Sequence, residues 1–294
     1  MPKLTPDKER LAAFYAFVNE RHLIWRRRFI EKRPWPWTDD PIMQKYKFTN
    51  VYRELDRGTM YYYEHILLPN YWNPENLLFQ TVLYRFFNKP AVFQAIGVAD
   101  VHANLKKYAA RLHKLKLDMP VFSPAYRVAC NSPTGAKKID VVMDVLRWVK
   151  ANMEQLQDGA VRTSDPKEAF NTLQSIPFVG PFLAYELYCD LALHGEIDYN
   201  LDEFVNVGPG AKPALMQIFT GLAEVDYMQA IESLRDGLPE GHSCRGAFTF
   251  EPYTRMMEIT WNARNAEHSL CEFRKYTNAL AAGKRTGPKY NPSK

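Results

Sequence analysis

The stretch whose reading decides the fold runs from Ile176 to Ala211, where IPFVGPFLAYE (176–186) is followed after a short gap by DYNLDEFVNVGPGA (198–211). Pro177 ends the helix that carries Leu173, Gly180 can take a backbone conformation closed to other residues, and Pro181 suits the first turn of a new helix. The spacing therefore predicts a tight turn between two helices. The second helix opens with unpaired N–H groups and the positive end of its dipole, a natural seat for a phosphate. Leu183, Ala184, Leu187 and Leu191 fall near one face, so this helix reads as amphipathic and packed inward. Pro and Gly also punctuate ordinary connections. What gives this one meaning is the carboxylate that follows it, Asp202, with Val205 and Val207 behind.

Working outward, 294 residues with 46% hydrophobic and 14% aromatic content make a globular protein with a sizeable core, in one large or two modest intertwined domains. A net charge of +5 permits nucleic-acid binding without demanding it. Cys130, Cys189, Cys244 and Cys271 form no CxxC pair, and His65, His194 and His268 have no metal-ligand spacing. Neither a metal site nor a cofactor is expected. No apolar run approaches the roughly 20 residues that span a bilayer, and MPKLTPDKER is too charged for a signal peptide, so the expected compartment is the cytoplasm and no membrane partner is expected.

The periodicity is helical almost throughout, predicting an all-α fold. Thr5 and Pro6 read as the start of a helix to about Lys32, with Leu11, Phe14, Val18 and Trp25 on an inward stripe. Further helices are expected over 48–68, 74–88, 90–95, 100–116, 136–156, 166–174, 213–220, 224–234 and 252–280. PVFS and AYRVA are the only candidate strand pieces. The basic segment 284–294 reads as a mobile tail. WRRR, from Trp25 to Arg28, and this tail offer contacts to a phosphate backbone.

The order LxxxPxVGxxxA and then DxxVxV, carried by Leu173, Pro177, Val179, Gly180 and Ala184 and by Asp202, Val205 and Val207, resembles the helix-hairpin-helix DNA glycosylase superfamily. The resemblance implies two intertwined helical lobes with a cleft between them, one of about 1–130 plus 240–283 and the other, with the hairpin, of about 136–235. It also implies DNA contacts at Phe178, Val179, Gly180, Phe182 and Asn206, and close backbone approach to a flipped nucleotide at Gly208 and Gly210.

A second cluster lies in FTNVYRELDRGTMYYYEHI (48–66). At helical spacing Asn50, Arg53, Asp56 or Arg57, and Met60 share a face. Arg53 and Arg57 would then flank the Asp56 carboxylate as a fork able to hold a phosphate. A plain surface ion-pair face accounts for the same spacing, but the neighbouring Tyr52 and Tyr61 to Tyr63 point to partial burial.

FTNVYRELDRGT, LLFQTVLYRFFNKP (77–90), AYR (125–127), DEFVNVGPGAKPAL (202–215) and EHSLCEFRKY (267–276) together resemble the helical domain of 5-hydroxymethyl-deoxyuridine DNA kinases. They also resemble the related alpha-glutamyl/putrescinyl thymine pyrophosphorylase group, which includes phage amino acid:DNA transferases. The match runs over about Phe48 to Tyr290. It implies action on thymine-derived bases in phage DNA, with modified double-stranded DNA and a free amino acid or amine as partners and a functional link to a DNA base kinase. GPGAKPAL does not have the spacing of a GxxxxGK[ST] phosphate loop, which argues against a stand-alone kinase. Transfer of an amine, glycine favoured by the resemblance, onto phosphorylated 5-hydroxymethyluracil moves ahead.

For that chemistry a carboxylate must take a proton from the attacking amine. Asp202 is the first candidate and Glu203 its rival, with Asp56 as a further catalytic candidate. Arg53, Arg57, Arg85 and Lys212 are candidates to stabilise the departing phosphate, with Asn50, Tyr126 and Arg127 completing the substrate set. On the C-terminal helix Glu267, Cys271 and Arg274 share one face, and Glu267, Glu272 and Lys275 are expected to support the site. Two other classes remain open at this point. They are a monofunctional DNA glycosylase and a non-catalytic DNA-binding subunit of a base kinase.

Overall fold

The computed structural model describes residues 4–123, 137–251, 258–283 and 289–290. Within them the chain is all-α. Its helices are α1 (Lys8–Phe29), α2 (Pro41–Lys45), α3 (Arg57–Tyr62), α4 (Pro74–Phe87), α5 (Pro90–Ile96), α6 (Leu105–Asp118), α7 (Lys138–Ala151), α8 (Met153–Ala160), α9 (Pro166–Gln174), α10 (Pro181–Leu191), α11 (Lys212–Ile218), α12 (Tyr227–Asp236) and α13 (Ala263–Ala282). Extended pairing among the described residues is confined to isolated bridges, Pro6 with Phe219, Tyr46 with Lys289 and Phe248 with Ile259. No helix among the described residues is long and apolar enough to cross a membrane. The chain divides into two compact units, one of 1–56 with 207–294 and one of 57–206.

The 57–206 unit is built on α4. Asn73 caps it by accepting from the Asn76 N–H at 3.1 Å, Pro74 supplies its first turn, and Asn88 ends it in the left-handed conformation. Every residue from Leu77 to Phe87 is buried. That is what a helix apolar on all sides, LLFQTVLYRFF, demands. α7, α8 and α10 pack against it. α9 begins behind Asp165, whose carboxylate accepts from Lys167 and Glu168, and lies against α8 and α10.

The other unit is organised by α1 and α13. Phe273 of α13 meets Phe14 and Phe17 of α1 edge-on and tilted, with ring centroids 5.6 and 5.7 Å apart, and Tyr276 lies 5.0 Å from Phe17. α11 and α12 complete the packing against α13.

Several local expectations are corrected. Asp7, not Thr5, caps α1, accepting from the Arg10 N–H at 3.0 Å. The 48–68 segment is not one helix. The chain is extended at Tyr52, makes a single 3-10 turn over Arg53–Leu55 and is extended again at Asp56 before α3. The Asn50 side chain drives this, donating to the Leu55 carbonyl at 2.8 Å and to Asp56 at 3.1 Å in competition with helical bonding. The 136–156 helix breaks at Asn152, whose side chain bonds the Trp148 carbonyl. The last helix starts only at Ala263, behind the Asn262 cap. α10 is buried from Leu183 through Leu191 and so is not amphipathic. PVFS forms no strand. AYRVA, with Tyr126 and Arg127, and most of the basic tail lie outside the described residues, although Tyr290 is tied by its N–H to the Lys45 carbonyl at 2.9 Å.

Candidate DNA-base site

Between α9 and α10 the Val179 N–H donates to the Ile176 carbonyl at 3.0 Å, closing a turn over Pro177 and Phe178. The left-handed residue of this turn is Phe178, at φ 63°, and not Gly180. Gly180, the N-cap of α10, sits at φ −83° and ψ 176°, extended backbone open to any residue, and a Cβ there would meet nothing within 4 Å. A phenylalanine held at positive φ is uncommon, and such strain concentrates at functional sites. Ile176 and Val179 are buried and anchor the turn, while Phe178 is 44% and Phe182 55% exposed. No side chain caps α10. The hairpin thus presents two apolar rings and the positive end of a helix on one short turn.

The acidic loop that follows is fastened to this hairpin. Phe204 lies 5.1 Å from the Phe170 ring of α9 and 5.7 and 6.2 Å from Tyr188 and Tyr185 of α10. Asn206 donates to the Pro181 carbonyl at 3.2 Å. Just ahead of these anchors Asp202 is half-buried and Glu203 exposed. The Asp202 N–H donates to Asn200 Oδ1 at 2.8 Å, and Asn200 Nδ2 donates to Glu203 at 2.7 Å, so one asparagine orders both acidic positions. Burial pushes the Tyr188 phenol far up, and the neighbouring Cys189, Glu203 and Asp202 push it further. Tyr188 is thus a neutral hydroxyl, donating to the Asn200 carbonyl at 2.7 Å.

Arg85 lies in the interior of the same unit. It pairs with Asp190 through two hydrogen bonds and with Glu186 at 3.2 Å, all three side chains buried. Its guanidinium is committed to bracing α4 against α10, which removes it from the set that could meet a phosphate. Arg57 is exposed at the start of α3.

In the other unit the GPGA turn lies on α13. The Gly208 N–H donates to Glu267 at 3.2 Å, and the Arg274 guanidinium donates to the Pro209 carbonyl at 3.1 Å. A Cβ on Gly210 would stand 2.6 Å from Cys271 Sγ. The face shared by Glu267, Cys271 and Arg274 is therefore the seat of this turn. Gly210 thus serves close packing against α13, whereas a Cβ on Gly208 would meet nothing nearer than Glu267 Oε1 at 4.0 Å. Lys212 opens α11 with its Nζ 5.3 Å from the centre of the Tyr227 ring, and the hydrogen bond it donates to the Tyr227 hydroxyl raises its pKa.

The same unit gathers Asn50, Arg53 and Asp56 around a residue the sequence reading passed over, Arg21. Arg21 donates to the Phe48 carbonyl at 2.6 Å and to Asn50 Oδ1 at 3.2 Å, and Arg53 pairs with Asp56. Glu272 accepts from the Thr49 N–H at 3.2 Å and from Lys275 at 2.5 Å. Burial lowers the Arg21 pKa, and Asp56 and Glu272 oppose that shift. The expected fork of Arg53 and Arg57 does not form on a helix, because Asp56 between them is extended. Arg21 was legible in one respect. It is a cation on the inward stripe of α1, between Val18 and Trp25, and such a residue needs buried partners.

Similarity to known proteins agrees with the all-helical character of the chain. The family model described as "5-hmdU DNA kinase, helical domain" matches residues 8–285. A "5-hmdU DNA kinase" of Bacillus phage SP10 is 30% identical over 305 residues, covering 94% of this chain and 47% of that protein. The chain thus spans about half the length of the curated relative it matches. No solved structure matches it. An all-α chain aligned with that model over nearly its whole length belongs to the 5-hmdU DNA kinase helical-domain family.

Proposed function

We propose that this chain grips DNA carrying 5-hydroxymethyluracil at the α9–α10 hairpin and acts on that base in the hypermodification of phage thymine, in the cytoplasm of an infected bacterium. One observation carries the reading, the fastening of the Asp202–Asn206 loop to both hairpin helices by Phe204 and Asn206. A carboxylate then travels with the element that holds the DNA backbone, as in a helix-hairpin-helix glycosylase. In this reading the base leaves the stack to meet it, and the exposure of the Phe178 and Phe182 rings supports a role for them in holding the opened strand.

The reaction in this reading is transfer of an amino acid or amine, glycine favoured, onto phosphorylated 5-hydroxymethyluracil. The amine nitrogen forms a bond to the exocyclic methylene as the C–O bond breaks. Phosphate leaves with the electron pair, and the amine proton passes to Asp202, or to Glu203. Arg57, exposed at the start of α3 in the same unit as Asp202, is the cation proposed to draw the phosphate away.

The family name favours a second reading. A helical domain matched to half of a DNA kinase would serve as the DNA-holding module for a kinase activity that lies outside these residues.

Nucleoside mass spectrometry separates the two. DNA bearing phosphorylated 5-hydroxymethyluracil is incubated with the protein and a pool of amines, with Asp202→Asn alongside. An amine-bearing thymidine that disappears in the variant establishes transfer. Unchanged nucleosides with tight binding that needs Phe178 and Phe182 establish the module, and abasic sites overturn both in favour of base excision.

A further inference from the structure

We infer that the last turn of α1 and the loop after it form a second nucleic-acid contact, a stacking platform for an unpaired stretch of DNA. Residues 26–47 carry seven Lys or Arg against three Asp or Glu, a net +4 of the chain's +5, so the remainder is close to neutral. Large apolar side chains stand out from this basic segment. Phe29 and Ile30 are exposed, and Trp35 is 39% exposed.

Trp35 is nonetheless ordered. Its ring stacks on Tyr290 with centroids 5.3 Å apart and planes at 15°, and Trp37 meets it edge-on at 5.2 Å. Arg28 lies 4.9 Å from the centre of the Trp37 ring and donates to the Tyr290 hydroxyl at 2.8 Å. Tyr290 is held in turn by the Tyr46–Lys289 bridge. An indole fixed this way loses little side-chain freedom when a base stacks on it. Exposed Arg26 and Lys32 supply cations on the same turn and loop.

A cavity of about 400 Å³ beside Trp37 is lined by Arg27 and Arg33 but also by Glu20, Asp39 and Asp40. Those carboxylates repel phosphate, so the backbone path belongs to the outer rim and not to the cavity. Stacked base pairs offer no free face to an indole, whereas an unpaired strand offers both face and phosphate. The platform rests on DNA being this protein's partner, but on neither the hairpin nor any reaction.

The test is fluorescence anisotropy of the full chain with a labelled single strand and a duplex of equal length, both unmodified, over a range of salt. Trp35→Ala is expected to weaken single-strand binding about tenfold, Trp35→Phe to restore most of it, and duplex binding to change little. Arg26→Gln with Lys32→Gln is expected to flatten the salt dependence of single-strand binding. Phe178→Ala with Phe182→Ala is expected to lose duplex affinity and keep the single strand, which separates failure of the platform from failure of the hairpin. Equal single-strand affinity in Trp35→Ala, loss on both DNAs alike, or a loss that Trp35→Phe does not repair would each overturn the platform.

Discussion

Gly210 lies so close to Cys271 that a single added carbon would collide with it, at 2.6 Å from Sγ and 3.5 Å from the cysteine Cβ. The contact is one of three by which the turn after the acidic loop is clamped to α13, with Glu267 on the Gly208 N–H and Arg274 on the Pro209 carbonyl. These three α13 residues recur at one-turn spacing on one helical face. The C-terminal motif EHSLCEFRKY is thereby a docking strip for the 208–211 backbone.

Gly210→Ala is therefore expected to destabilise the protein by about 1–3 kcal/mol, the usual cost of overpacking. Cys271→Ala in the same chain removes the struck sulfur and leaves the new carbon at ordinary contact distance, so it should recover most of the loss. Thermal unfolding of the two single variants and the double variant checks this, and additive losses would refute the collision.

Arg85 pairs with both buried carboxylates of α10, Glu186 and Asp190. Removing one partner of a buried ion pair leaves uncompensated charge, a loss of about 3–5 kcal/mol. Arg85→Met is expected to show a loss of that order in urea unfolding. Arg85→Lys is expected to recover only part of it, because an ammonium cannot reproduce the two-point contact to Asp190. A near-neutral Arg85→Met would return Arg85 to the candidates for phosphate binding.

Stability is expected to fall on mild acidification because of His22. Its ring is packed among Trp25, Tyr52 and Phe248, at 5.8, 4.9 and 5.7 Å. Burial, reinforced by the charges of Arg26, Arg21 and His242, holds its pKa down at about 3 against an ordinary 6.5. The unfolded chain takes up a proton as the pH drops through 6.5, and the folded chain does not until about 3. Stability is therefore lost progressively across that window, by about 2 kcal/mol between pH 7 and pH 5. Burial lowers His242 in the same direction. His22→Phe should flatten the fall in urea midpoint over that range, and identical slopes in variant and parent would refute the assignment.

What the sequence made legible follows from the range of its signals. Proline starts and side-chain caps act within one turn, so α4 and α9 begin at Pro74 and Pro166 as expected, and the all-α class follows from helical periodicity. Asn50 to Asp56 was misread because spacings of three and four also suit a capped 3-10 turn, and only the Asn50 side chain decides between them. Arg85 was misread for a different reason. Its partners lie a hundred residues on, in α10, and no local pattern announces them. The same holds for Gly210, whose reason for being glycine is a cysteine in the last helix.

Gly180 presents the opposite case from Gly210. Its φ of −83° is open to alanine, and an added Cβ would meet nothing within 4 Å of the protein. Within the fold, Gly180→Ala changes only the cap, at a cost of about 1 kcal/mol or less. If the hairpin backbone lies against a DNA phosphate, the same methyl group stands in the path of that approach, and glycine is needed for the ligand and not for the fold. The expected outcome is a variant with nearly parental thermal stability and duplex affinity reduced by tenfold or more, on the order of 1.4 kcal/mol. Phe178→Gly is the informative companion, because glycine relieves the positive φ while removing the exposed ring. It should stabilise the free protein slightly and weaken DNA binding. Anisotropy on a duplex beside thermal unfolding reads both quantities for both variants. A Gly180→Ala chain that binds like the parent would take the phosphate away from this turn, and with it the argument that Asp202 is carried to the DNA by the hairpin.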